Sequence, residues 1–419
     1  MTQMSPELVS EKPNDTTTKR SGSVRDVLRR GLGFYKFVAI FSMNTLIALI
    51  VANVLCHVVN QIWDKKDQQQ KDKLSLSLFT EKYHDYTVPQ MREILSEKRR
   101  QHLYEFAPYI GYKFRPEWRK YTHITAAGFR CSTDNGPWPP SANNLNVFVY
   151  GASTTFGPGL TDDETIPAQL QEFLKGKCDK PVKVYNFGTS SFNSTTERVQ
   201  FANMLAQGLK PDVAVFIDGN VDAQFFTDEP PLTNEMRELM KDRGYGLLKA
   251  SLPFFHDLPM TKLLNKLRET LSRKSGHFNK VRYNQAQTDH IITRYTANKH
   301  LIEVQARDFG VNTLFVWQPC SSYKFNRKYH PFPEDVSHAD MIPTYERMAE
   351  TVKNSSPEFT KDFLWLADIQ EGVTEPCYVD DSHYRANLCK MIGTNIGDAL
   401  LNRHLLAKEM TPRVESPAR

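Results

Sequence analysis

From residue 147 onward, short uninterrupted apolar runs alternate with turns and with longer segments of helical period. The runs are VFVY (147–150), VKVYNF (182–187), DVAVFID (212–218), NTLFVW (312–317) and FLWLAD (363–368). Apolar residues at three- and four-residue spacing predict helices over 165–174, 195–206, 288–309 and 386–406. A strand with little or no polar alternation is covered on both faces, and strands that alternate with helices build a parallel sheet. The fold class is therefore α/β, with helices on both faces of a parallel sheet. Between the third and fourth runs the rhythm breaks, and a helical insertion is expected over about 222–287. Its second half, LLKASLPFFHDLPMTKLLNKLRETL, is basic and amphipathic.

The N-terminal part follows a different pattern. Residues 1–36 are polar and rich in Ser, Thr, Lys and Arg, which predicts a disordered tail. Residues 37–59, FVAIFSMNTLIALIVANVLCHVV, carry no formal charge, and a span set at 37–62 is long enough to cross a bilayer as a signal-anchor. Arg20, Arg25, Arg29, Arg30 and Lys36 precede it, so the positive-inside rule places the N-terminus in the cytoplasm. The rest is then periplasmic or otherwise extracytoplasmic, or lumenal in a eukaryote. A charged stem is expected over 63–105, one large domain over 106–408 and a disordered tail over 409–419. Within this scheme the aromatic stretch YEFAPYIGYKFRPEW (104–118) marks the entry into the domain.

Composition narrows the function classes. The chain has 419 residues and a formal net charge of +5, with no dense basic arm, which argues against a nucleic-acid partner. Of six cysteines, Cys56 lies in the apolar span, and the other five cannot all pair. There is no CxxC, no Cys/His cluster at zinc spacing, no GxGxxG and no Walker lysine, so neither a metal nor a nucleotide cofactor is expected. Asp162, Asp163 and Glu164 precede a helix, where carboxylates favour the helix dipole. His330 and His338 are read as surface residues.

In an open parallel sheet, ligands bind beyond the carboxyl ends of the strands. There the sequence places Ser153 in GASTTFG, Gly188 in NFGTSS and Asn220 in DGN. Asp380 and His383 stand three apart in CYVDDSHY, just before the last helix. Together these residues make a serine acyl-transfer site. Ser153 is the nucleophile, His383 its base, and Asp380 the carboxylate that fixes the imidazole tautomer. Asp381 is a second carboxylate candidate, although the spacing favours Asp380. The N–H groups of Ser153 and Gly188 and the Asn220 amide are the expected oxyanion donors.

The order Ser, Gly, Asn, then D-x-x-H near the C-terminus resembles the SGNH/GDSL hydrolase superfamily across roughly residues 145–405. The resemblance implies a flavodoxin-like three-layer fold and an ester-cleaving Ser153–His383–Asp380 triad, with an oxyanion hole at Ser153, Gly188 and Asn220. One departure stands in the first block, where Ala152 replaces the family's Asp. The implied substrate is an acyl ester of a glycan or lipid in the envelope or outside the cell. An O-acyltransferase served by a membrane acyl-donor protein, and a catalytically silent scaffold, are the alternatives.

Overall fold

The structure, a computed structural model, describes residues 24–80, 86–99, 104–225, 258–274, 283–330 and 341–406. Helices α1 (Val24–Thr80) and α2 (Val88–Arg99) precede two short antiparallel pairs. These are β1 (Tyr104–Ala107) with β2 (Gly111–Phe114), and β3 (Glu117–Trp118) with β4 (His123–Ile124). Next come β5 (Leu145–Gly151), the one-turn α3 (Ser153–Phe156), α4 (Ile166–Leu174), β6 (Val182–Asn186) and α5 (Ser194–Ala206). They are followed by β7 (Val213–Asp218), the short α6 (Asn220–Gln224), α7 (Pro259–Lys274), α8 (Gln285–Phe309) and β8 (Asn312–Trp317). The chain continues through α9 (Ile342–Asn354), α10 (Pro357–Thr360), β9 (Phe363–Trp365) and α11 (Ala386–Asn402).

Five strands form one parallel sheet in the order β6-β5-β7-β8-β9. This is the doubly wound order of flavodoxin-like folds, with the reversal between β5 and β7. The two faces are packed by different residue types. Val147, Val149, Val215 and Ile217 pack with residues of α4 and α11, whereas Phe148, Tyr150, Phe216 and Phe315 pack with α5, α8 and α9. Because both faces are covered, every residue of β7 is buried. The five apolar runs are the five strands, and β9 ends three residues earlier than its run. Helix α9 falls outside the expected elements. Its buried Tyr345 and Met348 lie within a strongly charged segment and form no continuous run.

The described residues divide into two compact units. One contains α1 up to Lys66 together with α7. There Asn60 Nδ2 donates to Pro259 O (2.7 Å), Met260 N donates to Asn53 Oδ1 (3.3 Å), and Lys266 pairs with Asp64 (2.7 Å). Over Leu28–Lys66, α1 is long and apolar enough to cross a membrane. The sheet domain is the core of the other unit.

Two expectations for the N-terminal part need correction. Residues 24–36, assigned to a disordered tail, continue α1, because Val24, Leu28, Leu32 and Tyr35 recur at helical spacing. The stem is likewise not uniform. Met91, Ile94 and Leu95 of α2 are buried, and Met91 and Leu95 pack against Val379. Residues 1–23, the tail over 409–419 and most of the insertion (226–257 and 275–282) lie outside the described residues.

Candidate active site

Between Gly151 and Gly157 every residue is buried except Ser153, which is half-buried. β5 delivers the chain to the carboxyl edge of the sheet, and α3 begins at Ser153 itself. Ala152 occupies the N-cap position with an extended backbone and supplies no side-chain cap. A buried cation holds the loop that follows. Arg130 donates to Phe156 O (2.9 Å), Gly157 O (2.7 Å) and Leu160 O (2.7 Å), and it pairs with Asp162 Oδ1 (2.8 Å). Nothing in the sequence around Arg130 signals this role. It also changes the reading of the acidic run. Asp162 binds Arg130 and His123, Asp163 binds Thr133, and Glu164 closes a capping box with Thr161.

The 377–385 loop brings in the other two side chains. Its base is closed by Arg385 N donating to Cys377 O (2.9 Å) and by Val379 N donating to His383 O (2.8 Å). Buried Tyr378 and Tyr384 anchor it, and Tyr384 Oη donates to Gln318 Oε1 (2.7 Å). Asp380 Oδ1 accepts from the N–H groups of Ser382 (2.9 Å) and His383 (2.7 Å). Asp380 Oδ2 lies 2.8 Å from His383 Nδ1, and His383 Nε2 lies 2.9 Å from Ser153 Oγ. The sequence spacing matters physically here. With the two residues three positions apart, one carboxylate both caps the turn and reaches the ring. Asp381 engages through its backbone carbonyl, which accepts from Ser321 Oγ.

The expected oxyanion donors fare differently. Gly188 is buried, and its N–H donates to Asn186 Oδ1 (3.0 Å), so that donor is already engaged. Glycine is required there for another reason than room for an acyl group. A Cβ would stand 2.4 Å from Phe156 N and 2.8 Å from Thr155 C, where the loop packs on α3. Asn186 Nδ2 donates to Thr155 O (3.0 Å), so one buried amide ties the Gly188 loop to the Ser153 turn. Further along, Ser190 and Ser191 are half-buried, Ser191 has a left-handed φ of 61°, and among the described residues neither N–H has a protein acceptor.

Asn220 begins α6 and is buried, and its Oδ1 accepts from Gln224 Nε2 (2.8 Å). Before it, Gly219 has φ of 111°, and a Cβ there would meet the Trp317 ring at 3.0 Å. Three carboxyl groups here are buried: Glu197, Asp218 and, within α6 itself, Asp222. Asp222 accepts from Ser194 Oγ (2.6 Å), and Arg294 donates to the carbonyls of Asp222 (3.2 Å) and Phe225 (2.7 Å). Burial, reinforced by the neighbouring carboxylates, pushes the Glu197 and Asp218 acids well above the usual range.

Elsewhere, the six cysteines are all free thiols. His330, expected on the surface, is buried beside Tyr378 and Phe325. His338 lies outside the described residues. Among the described residues no group of three or more His, Cys, Asp or Glu side chains is arranged to hold a metal ion.

No family model matches the chain. No curated protein matches it either. Among solved structures it is similar to a protein described as lipolytic and of the G-D-S-L family from Desulfitobacterium hafniense DCB-2. That match has 13% identity, covers 61% of this chain and 100% of the other, and has a TM-score of 0.33. A lipase from a goat rumen metagenome matches at 14% identity, over 61% and 97% of the two chains, with a TM-score of 0.35. An acetyl xylan esterase, AlAXEase, matches at 11% identity, over 61% and 100%, with a TM-score of 0.34. At such identities and TM-scores the weight rests on the geometry of the site itself.

Proposed function

We propose that this chain is a membrane-anchored serine hydrolase of the SGNH/GDSL kind that cleaves an acyl ester. The observation that carries the reading is the continuous chain from Asp380 Oδ2 to His383 to Ser153 Oγ, with both links inside hydrogen-bond reach. A silent scaffold has no need to hold these three groups at such distances.

In the proposed reaction, Ser153 Oγ attacks the ester carbonyl and its proton passes to His383 Nε2. The tetrahedral oxyanion collapses, and the alcohol leaves with the proton from His383. Water, deprotonated by His383, then attacks the acyl-serine and releases the acid and free Ser153. Asp380 holds Nδ1–H toward itself and stabilises the imidazolium in each half-reaction. The oxyanion donors are the Ser153 N–H at the first turn of α3 and the Asn220 amide. From the loop after β6 they are joined by the uncommitted N–H groups of Ser190–Ser191 in place of Gly188. Helix α1 supplies the anchor, with the sheet domain on the extracytoplasmic side.

The test is hydrolysis of p-nitrophenyl acetate by the full chain in detergent and by its Ser153→Ala variant. Turnover that disappears in the variant supports the reading. Turnover equal in both, or absent from both, removes it.

A further inference from the structure

We propose that the β1–β2 hairpin is a binding platform for an uncharged polysaccharide, which it leads toward Ser153. This names the alcohol side of the ester and so rests on the hydrolase reading above. The large apolar side chains exposed between residues 104 and 124 are Tyr104 (42%), Phe106 (76%), Tyr109 (87%) and Trp118 (72%), and all four are aromatic. Solvent-facing rings at this density mark a contact surface.

The rings are arranged as a stripe. Tyr104 and Phe106 alternate along β1, and the register sets Phe106 opposite Tyr112 and Tyr104 opposite Phe114, so the four share a face. Tyr104 packs on Tyr112 (4.9 Å between ring centres) and on Phe114 (5.0 Å), and Phe114 packs on Phe156 of α3 (4.4 Å). The exposed rings of the hairpin are thus tied, through the buried Phe114, to the helix that begins at Ser153. Its middle is fixed to the second loop of the site. Tyr112 Oη donates to Ser190 O (2.7 Å), and its ring meets Phe192 (5.5 Å). At the turn, Tyr109 has φ of 69°, a conformation uncommon for a residue with a Cβ, and remains almost fully exposed.

Ring faces carry the negative side of a quadrupole, which suits the C–H faces of pyranose rings, and the tyrosine hydroxyls match sugar hydroxyls. An acyl chain calls for aliphatic walls, and exposed Leu, Ile, Val and Met are absent from this segment. The two charged side chains of the strands, Glu105 and Lys113, pair with each other at 3.0 Å, so the platform favours neither an anionic nor a cationic polymer.

The experiment is calorimetric titration of the full chain in detergent with cello-, xylo-, manno- and chito-hexaose, and separately with decanoate. The proposal expects at least one hexaose to bind. Affinity should fall roughly tenfold or more when both outer rings are removed in Phe106→Ala/Tyr109→Ala. Binding should persist in Ser153→Ala and in Phe309→Ala, a control at an exposed ring elsewhere. Failure of all four hexaoses to bind, unchanged affinity in the double variant, or binding of decanoate alone that the double variant loses would each overturn it. p-Nitrophenyl acetate turnover by the wild-type chain is read alongside. Hexaose binding without turnover removes the hydrolase reading and leaves the platform, whereas turnover without hexaose binding removes the platform alone.

Discussion

The 377–385 loop and the 187–193 loop both close on the turn that carries Ser153, and they do so with different chemistry. In the first, the groups that matter are side chains, and a single carboxylate, Asp380, caps the backbone and orients His383 together. In the second, the visible glycine serves packing, and the amide of Asn186 occupies its N–H. Side-chain chemistry needs particular residue types and so leaves a mark in the sequence. Backbone donors can come from any residue but proline, and their position depends on how the loop packs.

Substitutions can break this contrast in order of effect. Removing a side chain of the first loop or of the turn should cost most. Ser153→Ala or His383→Ala should lower ester turnover by about 10⁴-fold or more, and Asp380→Asn by about 10³–10⁴-fold, in steady-state kinetics. The oxyanion amide comes next, with Asn220→Ala costing about 10²–10³ in kcat at little change in KM. The second loop should respond first in stability. Asn186→Ala leaves the Gly188 N–H and Thr155 carbonyl without their buried partner, a loss of about 1–3 kcal/mol in denaturant unfolding. Gly188→Ala should destabilise at least as much, since its Cβ meets backbone atoms that cannot yield. Equal stability of Gly188→Ala and wild type would contradict the packing role.

The smallest effect concerns pH. Glu197 and Asp218 hold protons in the folded chain that their unfolded counterparts release from about pH 4 upward. The folded state binds more protons across that window, so these acids make stability fall as pH rises. Glu197→Gln keeps the shape of the side chain and removes its titration. Its unfolding midpoint, compared with wild type, should therefore gain ground between pH 5 and pH 8. A constant difference across that range would show that Glu197 titrates as an ordinary carboxyl.

Much of the frame was legible because continuous apolar runs have few alternatives. VFVY, DVAVFID and NTLFVW are strands whose both faces are covered, and the candidate site residues Ser153 and Asn220 stand just beyond the first two. That Asp380 and His383 would meet beside Ser153 was legible from their residue types and spacing. The unread parts depend on tertiary contact. Arg130 is one arginine in a loop until five acceptors converge on it. Helix α2 looks like charged stem until Met91 and Leu95 meet Val379. The stretch YEFAPYIGYKFRPEW shows its aromatic content in the sequence, but only strand register places four of its rings on one face.

The most direct test of the central claim is covalent. The full chain is treated with an alkyl fluorophosphonate, and its peptides are analysed by mass spectrometry. The account predicts one phosphonylated residue, Ser153, with the label abolished in Ser153→Ala and strongly reduced in His383→Ala. A chain that takes no label, or takes it at another serine with Ser153 unmodified, would contradict it.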